Sequence, residues 1–95
     1  MVEAELCRMK GELLELSGKR SEAKACFREA IEVARRQQAK SWELRATLSL
    51  ARLLQKEGRS EEARQLLSEI YGWFTEGFDT LDLQEAKVLL EELEG

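Results

Sequence analysis

One motif occurs twice in this chain, with its matching residues 40 positions apart. The shared positions span the end of one apolar segment and the start of the next: Gly18, Glu22, Ala23 and Phe27 recur as Gly58, Glu62, Ala63 and Leu67. Each copy is typical of a helix, a turn and a second helix, because glycine adopts the left-handed conformation that ends a helix. A duplicated hairpin indicates a helical repeat, in which neighbouring hairpins stack to bury their apolar faces.

The composition favours helices throughout. The 95 residues include no proline, and 36% of them are charged. A 3.6-residue spacing of apolar side chains predicts five helices and no strand. We therefore expect an all-α fold in one domain: a first repeat at about 3–38, a second at about 41–75 and a capping helix at about 81–94.

Helix starts are predicted from small polar residues. Ser21 and Ser41 are candidate N-caps of the second and third helices, Ser60 opens the fourth, and Thr80 or Asp82 caps the fifth. The segment 75–80 is predicted to be a loop.

Small residues predict where the two helices of each hairpin approach closely. Alignment of residues 11–34 with 51–74 needs no gap and pairs Gly11 with Ala51. At these positions a short side chain lets the helices approach, and the bulkier Phe27 or Leu67 is expected to fill the space behind.

The charge distribution argues against a nucleic-acid partner. The net charge is -4, and residues 76–95 hold seven acids and one base. A concentrated basic face with stacking aromatics is absent, which leaves a nucleic-acid-binding repeat as the weakest hypothesis. No apolar run approaches the ~20 residues that cross a bilayer, and the first residues do not resemble a signal peptide, so we expect a cytoplasmic protein.

Catalytic and metal-binding arrangements are not found. The chain has no histidine, no phosphate-binding glycine loop, and only two cysteines, Cys7 and Cys26. A disulfide between these cysteines is possible, but free buried thiols are favoured in a helical chain without a secretion signal. We expect a non-enzyme with no cofactor and no metal.

Aromatic residues gather near the end of the second repeat. Tyr71, Trp73, Phe74 and Phe78 either anchor a partner or close the core against the fifth helix, and helical spacing favours core packing. Trp42, at a helix start, is interpreted as a packing residue in the same way.

The pattern Gly11, Ala23, Phe27 and Ala30, followed by Ala51, Ala63, Leu67 and Ile70, resembles the tetratricopeptide repeat. The resemblance covers about residues 4–74 and is stronger in the first copy. Three features depart from the family: Cys7 and Thr47 replace an aromatic, the closing proline is missing, and the period is 40 instead of 34. From the longer period we expect a longer link between the hairpins.

The resemblance implies a concave groove lined by the first helix of each hairpin. Arg8, Arg45 and Arg52 would pair there with carboxylates of a protein partner, unless the face is an ordinary solvated one with internal Glu–Arg pairs. The lysine and asparagine pattern that clamps a terminal carboxylate is absent. The positions that the resemblance transfers to the groove are Glu5, Arg8, Glu12, Glu15, Arg45, Leu48, Arg52 and Gln55.

The long period and residues 71–86 also resemble the C-terminal repeat region of large bacterial signalling ATPases, including LuxR-type regulators and proteins with adenylate-cyclase-like domains. This resemblance implies a protein-interaction or scaffolding role within a longer polypeptide. The alternative is a structural cap of a solenoid with no external partner. If preceding repeats are missing, Leu6, Met9 and Leu13 are expected to be exposed and to drive self-association.

Overall fold

The computed structural model describes residues 2–74 and 80–94. Within these ranges the chain forms five helices and no strand: α1 (Val2–Leu16), α2 (Arg20–Arg36), α3 (Lys40–Lys56), α4 (Ser60–Tyr71) and α5 (Leu81–Glu94). The prediction of an all-α helical-hairpin fold is confirmed. The predicted loop at 75–80 lies, apart from Thr80, outside the described residues, and so does Phe78.

The helices are packed in chain order as two stacked hairpins and a closing helix. α1 pairs with α2 and α3 with α4, and α3 also contacts α1, α2 and α5. α3 is therefore the centre of the stack, and its Leu44, Leu50, Leu53 and Leu54 are almost wholly buried. Leu83, Ala86 and Leu89 of α5 complete the same core.

All three turns between the first four helices are built in the same way. Each turn spans three residues, and its last residue donates a backbone N–H to the carbonyl five positions earlier: Lys19 to Leu14, Ala39 to Ala34 and Arg59 to Leu54, each at 2.9 Å. The middle residue is left-handed in each case: Gly18, Gln38 and Gly58 have φ of +82°, +56° and +78°. These are Schellman turns, which satisfy the last carbonyls of the preceding helix.

The longer period of 40 residues does not come from a longer link. The turn between the hairpins, residues 37–39, is as short as the turns within them, and the extra residues lengthen α2 and α3 to 17 residues each. The expectation of a longer link is therefore wrong. Gln38 stands where the other two turns have glycine, so no glycine marks this third turn in the sequence.

The predicted serine caps are also corrected. α2 and α3 begin at Arg20 and Lys40, so Ser21 and Ser41 lie inside the first turn and make no capping bond. The tight Schellman turn leaves only one residue before the next helix, and that residue takes the N-cap position. At α5 the prediction holds for Thr80, whose Oγ1 accepts a hydrogen bond from the Leu83 amide at 3.3 Å.

The close approach of α1 and α2 depends on Gly11. A Cβ at this position would lie 2.6 Å from Cε1 of Phe27 and 2.8 Å from Cδ1. The Phe27 ring is fully buried and lies where side chains of α1 would otherwise extend. The predicted pairing of a small residue with Phe27 is confirmed.

Candidate functional site

The first helix of each hairpin and the closing helix lie side by side. α1 packs against α3 and α3 against α5, whereas the backbones of α2 and α4 do not approach each other among the described residues and an ion pair between Arg28 and Glu62 joins them at 3.1 Å. α1, α3 and α5 therefore form one continuous surface, named here the inner face. The residues predicted to line a groove all lie on α1 or α3. Leu48 of α3 does not reach the inner face, because it is buried in the core.

Ion pairs connect the three helices of the inner face. Arg45 donates from Nη2 to Oδ2 of Asp82 at 3.1 Å, and its Nη1 lies 3.6 Å from Oε2 of Glu5. Arg52 reaches Oε1 of Glu85 at 2.6 Å, and Lys56 reaches Oε2 of Glu15 at 2.6 Å. Each of these bonds joins α3 to a neighbouring helix, so the charges of the inner face hold the helices together.

Arg8 is the least exposed base of this face. Its guanidinium donates two hydrogen bonds to Glu5, at 2.9 and 2.7 Å, and a third to Glu12 at 2.6 Å. The hydrogen bonds from Arg8 lower the pKa of Glu5, against an opposing effect of burial, and the charge of Arg45 lowers it further. The carboxylate of Glu5 also raises the pKa of Arg8. Arg8 is thus held by its own helix.

The remaining predicted residues have partners as well. Glu12 accepts a hydrogen bond from Ser49 Oγ at 3.2 Å, and Gln55 donates to Glu92 at 3.5 Å. The arginines that were predicted to bind carboxylates of a partner are therefore already bound to carboxylates of this chain. Their part in binding a partner stays a prediction.

An open groove of about 480 Å³ lies between α3 and α5. Leu81 and Val88 are both more than half exposed and lie along the α5 side of this groove, with Leu89 at its base. Arg52, Lys56, Glu85 and Glu92 supply charges of both signs at its rim. The groove thus exposes apolar surface on the inner face, next to charged side chains that are paired within the chain.

Sequence reasoning missed Leu81 and Val88. They stand seven residues apart on α5, off the stripe of Leu83, Ala86 and Leu89 that enters the core. The sequence contained this information: residues seven positions apart lie on the same side of a helix, and this side is offset from the core stripe.

The aromatic residues at the end of α4 divide into two groups. Tyr71 and Phe74 pack against the main core, as the packing interpretation predicts. Trp73 does not close the core: it is exposed, meets Phe74 edge-on at 5.1 Å and lies 5.4 Å from Lys40 Nζ. Trp42 packs against Ala4, Val33 and Ala34, as predicted.

Neither cysteine is in a disulfide, and both Cys7 and Cys26 are half-buried. Among the described residues, no cluster of three or more metal-ligating side chains is found. In the same ranges, every helix is too short or too polar to cross a bilayer.

Residues 4–37 match the family model of the tetratricopeptide repeat. The matched range is the α1–α2 hairpin, and it supports a tetratricopeptide-like domain. No curated protein and no solved structure matches the chain. The match falls on the copy in which Gly11 and Phe27 are both present, whereas the second copy has Ala51 and Leu67 at these positions. Tetratricopeptide repeats generally mediate protein–protein interactions and are typically not catalytic.

Proposed function

We propose that this domain is a protein-interaction or scaffolding module that holds a protein partner along its inner face. The groove between α3 and α5 is the observation that carries this proposal. There, Leu81 and Val88 expose apolar side chains beside charged side chains that are already paired. A surface with an apolar strip and a charged border is suited to a helix or an extended segment of another protein.

The charges of the inner face set the kind of partner segment that fits. Apolar side chains would occupy the strip along α5. A carboxylate of the partner would compete with Glu85 for Arg52 and with Asp82 for Arg45, since both arginines are bound within the chain. The charged residues therefore contribute more to selectivity than to affinity. In this proposal Arg8, Glu12 and Gln55 border the surface, and Leu48 supports it from the core.

The test compares partner capture by the whole chain and by two variants. Leu81→Glu/Val88→Glu places two charges in the groove at positions that are already exposed. Glu29→Lys changes an exposed residue of α2, a helix that does not contact α5, and serves as the control.

We expect the proteins captured by the wild-type chain to be retained by Glu29→Lys and lost by the groove variant. The captured protein is then purified and its binding measured directly. Equal capture by the wild-type chain and the groove variant would contradict the proposal.

The alternative function is a structural cap of a helical stack. α3 buries Leu44, Thr47, Ala51 and Leu54, and the positions 40 residues later on α5 are the exposed Gln84, Lys87, Glu91 and Glu94. A polar outer face is the feature by which a terminal repeat ends a solenoid. A cap predicts that capture is unchanged by substitutions in the groove.

We further propose that the domain works in the cytoplasm as the repeat region of a larger bacterial signalling or transcription-regulating ATPase. The support is the resemblance of residues 71–86 and of the long period. Neither nucleic acid nor membrane is proposed as a partner. The test is the sequence of the natural gene, in which a nucleotide-binding motif upstream of this domain is expected.

A further inference from the structure

One side of α1 carries four large apolar residues that are exposed. Leu6, Met9, Leu13 and Leu16 are 58%, 49%, 66% and 84% exposed and are named here the α1 stripe. Their spacing is three, four and three residues, which places them on one line along the helix. Four such side chains expose on the order of a few hundred Å² of apolar surface, as much as the largest patch on a typical monomer.

The internal repeat shows why this side of α1 is open. The positions 40 residues after Leu6, Met9 and Leu13 are Ala46, Ser49 and Leu53, which are 1%, 7% and 0% exposed. The position 40 residues after Leu16 is the exposed Lys56. α3 is flanked by helices on both sides, whereas α1 packs, within residues 2–74 and 80–94, against α2 and α3 alone. Leu6, Met9 and Leu13 therefore stand at positions that the fold covers with a helix in α3, whereas Leu16 lies at the end of the stripe, beside Ser49, Arg52 and Lys56 of α3.

The side chains of the α1 stripe are larger than those at the matching positions of α3, and this size difference restricts which helix can pack on α1. Leu6 and Met9 stand where α3 has Ala46 and Ser49. Small residues allow helices to approach closely, while a line of leucine and methionine holds a neighbouring helix further away. The three-four spacing is that of a heptad seam, in which two helices pair through matching lines of large apolar side chains.

Within the described residues, α1 is the helix that offers such a line. The other large exposed apolar residues are Trp73, Leu81 and Val88, and the two on α5 are seven residues apart with the polar Gln84 between them. We propose that two copies of this chain associate through their α1 stripes in a two-fold symmetric dimer. Such an interface uses the same surface on both copies and closes on itself. The proposal is independent of the proposed function, because it does not involve the groove.

The size of the α1 stripe sets the strength of the dimer. A standard stable interface buries about 800 Å² from each partner, more than this stripe supplies. We therefore expect a reversible dimer that forms in the micromolar range or above. The α3–α5 groove stays open in the dimer, because it shares no residue with the α1 stripe.

The experiment is sedimentation equilibrium of the whole chain from micromolar to near-millimolar concentration. The test variant is Leu6→Glu/Leu13→Glu, and the matched control is Leu81→Glu/Val88→Glu, which changes two residues of comparable exposure on α5. We expect a monomer–dimer equilibrium for the wild-type chain and the control. The test variant should weaken association by roughly a hundredfold or more, because two leucines lose their apolar contacts. Circular dichroism of each variant checks that its helices are intact, and Leu16→Lys provides a second, single substitution at the most exposed position.

Four results would overturn the proposal. A wild-type chain that stays monomeric at every concentration means that α1 does not pair with itself, and that another helix or no helix covers it. A dimer that persists in both α1 variants means that another surface associates. Loss of the dimer in the α5 control means head-to-tail pairing of α1 with α5. Assemblies larger than a dimer would exclude a closed two-fold interface.

Discussion

Substitution of Gly11 by alanine tests the packing on which the first hairpin depends. The new Cβ would lie 2.6 and 2.8 Å from two ring atoms of Phe27 and 3.2 Å from the carbonyl oxygen of Ala23. The ring is fully buried and the carbonyl belongs to the backbone of α2, so neither can move away without disturbing the core. Overpacking of this kind costs about 1–3 kcal/mol.

Helix propensity acts in the opposite direction. Replacing glycine by alanine within a helix stabilises it by about 1 kcal/mol. Since the Cβ meets two ring atoms at less than 3 Å, we take the upper part of the overpacking range. The net expectation for Gly11→Ala is a loss of about 1–2 kcal/mol of unfolding free energy, or roughly 4–15 °C in melting temperature for a domain of this size.

The second hairpin supplies the compensating change. It combines Ala51 with Leu67 where the first combines Gly11 with Phe27. In Gly11→Ala/Phe27→Leu the smaller side chain makes room for the new methyl group. We expect the double variant to be more stable than the sum of the single changes predicts, with a coupling of about 1 kcal/mol.

The assay is urea unfolding followed by circular dichroism for the wild-type chain, both single variants and the double variant. Ala25→Gly, at an exposed position of α2, measures the propensity difference without a packing change and serves as the control. A Gly11→Ala chain more stable than wild type would refute the reasoning. Strict additivity in the double variant would also refute it.

Three further predictions concern a turn, an ion-pair network and pH. Gln38→Gly should raise the unfolding free energy by about 1 kcal/mol, because Gln38 has a left-handed φ of +56°; urea unfolding measures this. Arg45→Gln should cost roughly 0.5–1 kcal/mol and speed hydrogen exchange in α5, because Arg45 joins α5 to α3 and α1. Because the pKa of Glu5 is lowered in the folded chain, its contribution is complete above pH 4.5 and is lost as pH falls through the lowered pKa. Glu5→Gln should therefore reduce the loss of stability on acidification, relative to Glu29→Gln.

The hairpins themselves were readable from the sequence, because their determinants are local. Gly18 and Gly58 mark two of the turns, and the pairing of Gly11 with Phe27 follows from the size of two side chains. The third turn was not readable in the same way. Gln38 accepts the left-handed conformation because the Schellman bonds of residues 38 and 39 and the packing of α2 on α3 fix the backbone there. Tertiary structure, not residue preference, decides that turn.

The ion-pair partner of each charged residue on the inner face could not be predicted from the sequence. Arg45 and Asp82 are 37 residues apart, and their pairing depends on where α5 lies against α3. The same holds for Leu48. The family resemblance predicts that it lines a groove, but the packing of α3 between its neighbours buries it in the core. Contacts between helices distant in the chain follow from stacking geometry, which spacing along one helix does not specify.

Acidic residues near the end of the chain pair with arginines of α3. α5 buries Leu83, Ala86 and Leu89 in the core, with Leu90 and Leu93 partly buried against it, which is a modest apolar contact for a closing element. Asp82 and Glu85 add bonds to Arg45 and Arg52, so ion pairs supplement apolar burial in holding α5. Because exposed ion pairs are individually weak, the contact between α3 and α5 is the part of the fold most easily opened. The groove lies at this contact, and a partner that fills it would bind α3 and α5 together. The domain should then be more stable with its partner bound, and the added protection from hydrogen exchange should be largest in α5.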